Sequence, residues 1–254
     1  MTFRVVLVTS QVTYVRDNYC HLVDQILHLP ASEKNIRIAA LVLLDIPVPY
    51  LLKNIVGLPI IGAPDMAFAL ARNLVQSRMN DPRAKLASEL GVPVFRCKSV
   101  NLPDTLEYLR GLKPDLIVNA RTRNIYKAPV LAIPRLGCIN IHHGLLPENR
   151  GLMCDLWAWA ERRPVGFTVH WMNEKIDDGS IIDRCEVTTR GFRSYLEIPM
   201  ASSRQEADCL RKILARLRKE GKVAGIPNRC DTINYTRTPT PAVIAGWRRA
   251  GLRV

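Results

Sequence analysis

The sequence is short of acidic residues, of paired cysteines and of long apolar runs, and each shortage narrows what it can do. Its 254 residues carry 36 Lys and Arg against 23 Asp and Glu, a formal net charge of +13. Seven cysteines (Cys20, Cys97, Cys138, Cys154, Cys185, Cys209 and Cys230) are an odd number with no C-x-x-C pair. That pattern speaks against a disulfide framework and a zinc site. The thiols read as reduced residues of a cytoplasmic protein. Phe3 to Val8 is too short for the apolar core of a signal peptide, and polar residues follow at once. The most apolar stretch, Leu41 to Gly62, carries Asp45, Lys53 and three prolines. A spanning helix needs about 20 predominantly apolar residues. A transmembrane segment is therefore rejected, while a peripheral membrane contact of this stretch stays open. No G-x-G-x-x-G follows the first apolar run, which argues against a dinucleotide site there. No internal repeat or low-complexity segment is visible.

What is present is 48% hydrophobic residues, enough for one sizeable core. Near-continuous apolar runs at Phe3–Val8, Ile36–Leu44, Val92–Arg96, Asp115–Ala120 and Gly137–His142 read as buried strands. Helical spacing lies between them at Asp17–Leu29, Ala63–Leu90 (broken near Asp81-Pro82), Asp104–Leu112 and Lys127–Ile133. Leu51 to Gly62 shows no clear period. Alternation of this kind predicts an α/β fold with a doubly wound, mainly parallel sheet. Its ligands are expected beyond the carboxyl ends of the strands. After Val187 the pattern changes. Ser203 reads as the cap of a basic helix from Arg204 to Glu220, with Glu206 completing a capping box. Residues 1–194 are thus expected to form the catalytic domain, and residues 195–254 a small basic C-terminal extension. Residues 204–254 hold twelve Lys and Arg against four Asp and Glu, a surplus of +8. Such a surplus suits an anionic partner, or simply a solvated basic face.

Cys138 to Val187 carries the chemistry. The strand Gly137–His142 breaks at Gly144 and Pro147, which puts Asn140, His142 and His143 near a strand end. Two further apolar runs, Phe167–Trp171 and Ser180–Val187, are joined through a polar turn holding Asp177, Asp178 and Gly179. An amide can donate to an oxyanion, an imidazole can move a proton at neutral pH, and a carboxylate can fix and charge that imidazole. Side chains alternate along a strand, so Asn140 and His142 share one face and His143 takes the other. A metal pair from the two histidines lacks a further ligand at suitable spacing. His170 and the tryptophans Trp157, Trp159 and Trp171 read as packing or pocket-lining residues.

Asn140-Ile141-His142, then Leu145-Leu146-Pro147, then Arg150-Gly151, resembles the signature of the folate-dependent formyltransferases. Asn173 to Gly179 resembles that family's second motif. The likeness covers roughly residues 114–187. It implies a Rossmann-like formyltransferase fold, with Asn140, His142 and Asp177 as the catalytic residues and no metal. It implies 10-formyltetrahydrofolate as formyl donor, met by the loop at Arg123, Asn124 and Ile125 through backbone groups, with Arg150 and Gly151 shaping the entrance. The acceptor implied is a primary amine, with an amino-sugar nucleotide or similar anionic small metabolite favoured over a nucleic acid. The chain departs from the family at Gly144, usually Ser, at Asn149, often aromatic, and at Asp178, more commonly Thr. These departures bear on the acceptor. A formyltetrahydrofolate hydrolase with water as acceptor, and a non-catalytic peripheral binding protein, are the competing readings.

Overall fold

A computed structural model describes residues 2–33 and 35–254. The chain opens with β1 (Phe3–Ser10), α1 (Cys20–Leu27), α2 (Leu29–Ser32) and β2 (Ile36–Leu44). Three helices follow, α3 (Val48–Ile60), α4 (Pro64–Met79) and α5 (Pro82–Glu89), then β3 (Val94–Cys97). Next come α6 (Pro103–Leu112), β4 (Leu116–Ala120), α7 (Ala128–Leu131) and β5 (Gly137–His142). A short β6 (Asn149–Gly151) and α8 (Cys154–Ala160) lead to the strands β7 (Gly166–Trp171) and β8 (Ile181–Glu186). The chain ends with α9 (Glu197–Glu220), β9 (Asn234–Thr236) and α10 (Pro241–Arg249).

Seven strands form one sheet in the order β3-β2-β1-β4-β5-β7-β8. The five from β3 to β5 are parallel, and β7 and β8 add on antiparallel. The order switches direction between β1 and β4, and ligand sites in such sheets lie beyond the carboxyl ends at that switch. Ser10 and Ala120 mark those ends, and His142 closes β5 beside them.

Alternation along β1 builds two cores. Val5 and Leu7 point to the face covered by α1 and α9, against Leu22, Ile26, Leu210 and Leu214. Val6 and Val8 point to the other, with Val42, Leu109, Ile117 and Val130. Each large aliphatic side chain buried this way contributes about 1.5–3 kcal/mol. The stretch from residue 195 onward therefore starts with a helix that shares the main core.

Two expectations need correction. The basic helix begins at Glu197, not Arg204, and Ser203 sits inside it, its hydroxyl donating to the Met200 carbonyl at 2.9 Å. Pro199 does not prevent this, because first-turn N–H groups have no intrahelical acceptor. Glu206 is consequently not a capping residue but a fully buried carboxylate. Leu51–Gly62 falls mostly in α3, which is apolar on both sides and so lacked a readable period. All seven cysteines are free thiols, and four of them are buried.

Candidate active site

Strand register places the first polar row. Asn119 of β4 lies beside Asn140 of β5, and Asn140 beside His170 of β7. Register partners on neighbouring strands present their side chains to the same face. Three polar residues therefore run side by side across three neighbouring strands. They form a directed chain of hydrogen bonds. The Thr122 hydroxyl donates to Asn119 Oδ1 at 2.7 Å. Asn119 Nδ2 donates to Asn140 Oδ1 at 2.8 Å. Asn140 Nδ2 donates to His170 Nε2 at 3.1 Å. His170 Nδ1 lies 2.7 Å from the Trp171 carbonyl, which can only accept. The His170 proton thus sits on Nδ1, and Nε2 is left as an acceptor. Burial and the neighbouring charge of His142 lower the His170 pKa to about 4, which keeps it in this neutral form. The chain fixes which way the Asn140 amide points. The second N–H of Nδ2 has no partner among the described residues.

His142 sits two residues on, at the strand end, and is 6% exposed. Its Nε2 donates to the Asn149 carbonyl at 2.9 Å, and its Nδ1 lies 3.4 Å from Asp177 Oδ1. Burial opposes a charge on this imidazole, but the Asp177 carboxylate overrides it and holds the pKa well above its ordinary value. Burial likewise opposes the charge of Asp177, and His142 holds that carboxyl below the usual range. Asp177 thus favours the charged form of this imidazole, with Nε2 donating to the Asn149 carbonyl and Nδ1 facing the carboxylate.

The turn that carries Asp177 is shaped by backbone limits. Asp177 has φ 52°, a left-handed conformation that Asp tolerates. A Cβ on Gly179 would stand 1.7 Å from the Trp171 carbonyl oxygen, so only glycine fits. The turn is clamped from outside. Asn228 Nδ2 donates to the carbonyls of Asp177 (2.9 Å) and Gly179 (3.0 Å). The Gly151 N–H donates to Asp177 Oδ2 at 3.3 Å. Arg150, expected at the entrance, is instead a buried brace from Asp178 (3.0 Å) to the Asn228 carbonyl (2.8 Å).

His143 faces the other way, as strand alternation requires. Its Nδ1 lies 3.5 Å from Asp155, and burial followed by the Arg121 charge pushes its pKa down to about 4. Arg121 belongs to this second cluster. Its guanidinium bonds the Tyr19 hydroxyl (2.6 Å), Ser202 (2.8 Å) and the buried Glu206. It ties the loop after β4 to α9.

That loop holds the other expected residues. Asn124 is spent on structure, its Oδ1 accepting from the Ser99 hydroxyl (3.0 Å) and the Val100 N–H (3.1 Å). Arg123 donates to the Tyr50 hydroxyl at 2.7 Å. Ile125 is 57% exposed, its carbonyl accepting from Asn101 (2.8 Å). The Ile125 N–H makes no hydrogen bond among the described residues.

The departures at 144 and 149 have a local cause. A Cβ on Gly144 would stand 2.8 Å from His142 Nε2 and 3.0 Å from the Asn149 carbonyl oxygen. The Asn149 side chain is held by Arg163 and by the Leu145 carbonyl, which steadies the carbonyl that grips His142. Sequence reasoning missed Asn119 and Asn228, and read Asn149 only as a departure from the family. Only Asn119 had a readable signal, as a lone amide in the apolar run Leu116–Ala120.

Residues 63–195 match the formyl transferase family model. A methionyl-tRNA formyltransferase of Kosmotoga olearia is 33% identical over 139 residues, 54% of this chain and 43% of that protein. One from Bacillus subtilis is 39% identical over 98 residues, 38% of this chain and 31% of that protein. The chain spans about half the length of the first curated relatives it matches. Among solved structures, glycinamide ribonucleotide transformylase 1 from Symbiobacterium toebii superposes with a TM-score of 0.64 at 17% identity, covering 92% of this chain and 95% of that one. A sugar N-formyltransferase from Shewanella sp. superposes with a TM-score of 0.60 at 23% identity, covering 92% and 76%. These two likenesses establish the fold.

Proposed function

The chain belongs to the formyl transferase family, and we propose that it transfers a formyl group from 10-formyltetrahydrofolate to a primary amine. The observation that carries this reading is the oriented Asn140 amide, one N–H unspent, beside the His142–Asp177 ion pair at the open end of the sheet. The unspent N–H suits an oxygen that gains negative charge as the amine adds to the formyl carbon. The His142 imidazolium adds a fixed positive charge, and it costs no reorganisation because Asp177 already holds it. Asp177, 11% exposed, is the carboxylate that relays the proton lost by the attacking amine to the folate nitrogen, whose bond to the formyl carbon breaks as the oxyanion collapses.

The donor supplies the formyl carbon. The loop at Arg123, Asn124 and Ile125 is its proposed seat. The unbonded Ile125 N–H and the exposed Ile125 side chain suit a flat heterocycle that accepts from backbone. Asn124 then acts by holding the loop's shape.

For the acceptor we favour an amine on a nucleotide-linked sugar or a similar anionic small metabolite. The +13 net charge supports an anionic ligand, and a sugar N-formyltransferase is among the proteins of this fold. Incubation with 10-formyltetrahydrofolate and a panel of amines tests both parts, the panel holding amino-sugar nucleotides, phosphorylated amines and aminoacylated tRNA. Amine-dependent release of tetrahydrofolate supports transfer. Amine-independent release makes the protein a hydrolase, and no release overturns the catalytic reading. An anionic acceptor captured by exposed cations would also show a KM that rises as salt shortens the Debye length from about 30 Å to about 8 Å.

A further inference from the structure

Helices α3 and α4 expose an apolar face that the rest of the fold leaves uncovered. Leu52, Val56 and Ile60 line one side of α3 at a spacing of four, and Ile60 is 81% exposed. Phe68, Val75 and Met79 line one side of α4, with Phe68 74% and Met79 83% exposed. The inner sides of the same helices are already satisfied, through Leu51, Ile55, Leu58 and Leu70. Aliphatic and aromatic side chains this exposed, gathered on one helical hairpin, mark an interaction surface rather than scattered surface residues.

Charge selects the partner. Arg72 falls within the α4 stripe, between Phe68 and Val75, and Lys53 and Arg78 flank it. The Arg248 side chain lies against Gly62, at the turn between the helices. None of these four cations pairs with a carboxylate among the described residues. The one acid on the hairpin, Asp65, is already held by Arg253 at 2.7 Å. The face is thus apolar, edged with cations and without a free acid. A second copy of this chain would bring the same cations face to face with no carboxylate to pair them. We propose that α3 and α4 dock this protein onto an anionic lipid surface, with the apolar stripes in the interface and the cations at the headgroups. No helix among the described residues is long and apolar enough to cross a membrane, so the contact lies along the surface. It would set the mouth of the sheet near the lipid, because Tyr50 of α3 touches Arg123 of the loop after β4.

Vesicle flotation tests this, using the full chain with phosphatidylcholine vesicles, plain or containing about a third phosphatidylglycerol. Two double variants are compared, F68S with M79S and R72E with R78E. All four side chains are exposed, so the fold should survive, and circular dichroism checks it. Flotation with the anionic vesicles is expected, weakening with salt and nearly absent on neutral ones. Each basic residue near such a surface is worth about fivefold in partitioning, so the charge reversals should lower binding by at least twenty-five-fold. The apolar pair should lower it even at low salt. No flotation with anionic vesicles at low salt overturns the proposal, and so does flotation indifferent to both variants. Concentration-dependent self-association in sedimentation, abolished by F68S with M79S, would instead assign the face to a second copy and equally overturn it.

Discussion

Asp177→Asn keeps the size of the side chain and removes its charge, which isolates what that charge does. In the native site the carboxylate lies 3.4 Å from His142 Nδ1. Burial pushes the His142 pKa down, and Asp177 is what reverses the direction. Without it the burial should win, and the pKa should fall below its ordinary value of about 6.5. At pH 7 less than about a quarter of His142 would then carry a proton. Two consequences follow. The rate should fall, because the imidazolium beside the developing oxyanion is gone. A carboxylate that orients a catalytic histidine is worth up to about 10⁴ in rate, so a loss of kcat/KM of at least about 10² at pH 7 is expected. Part of it should return as the pH is lowered toward about 5, since acid restores the imidazolium. The native protein should do the opposite and lose activity in acid, as Asp177 protonates.

Stability should shift as well. The native His142 pKa is raised, so its contribution is complete below about pH 6.5 and is lost as pH rises through the folded value. The native Asp177 pKa is depressed, so its contribution is present above about pH 4 and is lost as pH falls through the folded value. Near neutrality both contribute. Two charges at 3.4 Å attract by about 5 kcal/mol at an effective dielectric of about 20. Desolvation offsets much of this, and His142 can shed its proton in the variant. The expected loss is about 1–3 kcal/mol in denaturant unfolding at pH 7. The assay is kcat/KM across pH, with the His142 ring proton followed by NMR. A variant whose His142 still titrates above pH 7, or whose pH profile matches the native one, would refute the reasoning.

Asn140→Ala should lower kcat by about 10²–10³. Asn119→Ala should give a smaller loss in kcat with donor KM held, because it only frees the amide to turn; equal losses would show that Asn119 matters otherwise. His142→Ala should abolish turnover in steady-state assays, whereas His143→Ala should keep most of it and lose about 1–3 kcal/mol of stability through Asp155. Equal activity losses in the two folded variants would contradict their opposite orientations. Ile125→Pro removes the free backbone N–H and should weaken folate binding in calorimetry far more than Ile125→Ala does; equal affinities would exclude that contact.

Much of the fold was legible because its rules are local. Apolar runs of strand length, helical spacing between them and breaks at Pro and Gly gave the α/β alternation. The family resemblance singled out Asn140, His142 and Asp177, which the fold brings together and to which the proposal above gives catalytic roles, and two-residue alternation separated His142 from His143 before any contact was known. Everything that depends on which strands lie side by side was not. Asn119 and His170 orient Asn140 only because β4 and β7 flank β5, and strand order follows from how the whole chain packs. Arg150 and Asn228 clamp the Asp177 turn from sequence positions far away. Glu206 satisfied the spacing of a capping box, yet tertiary burial set it against Arg121 instead. Helix α3 had no period to read, because its inner side feeds the core while its outer side is apolar for another reason. Local chemistry selects the conformation of a segment. The partner of each buried charge and amide is chosen by the requirement that no such group be left unpaired once the sheet and helices close together.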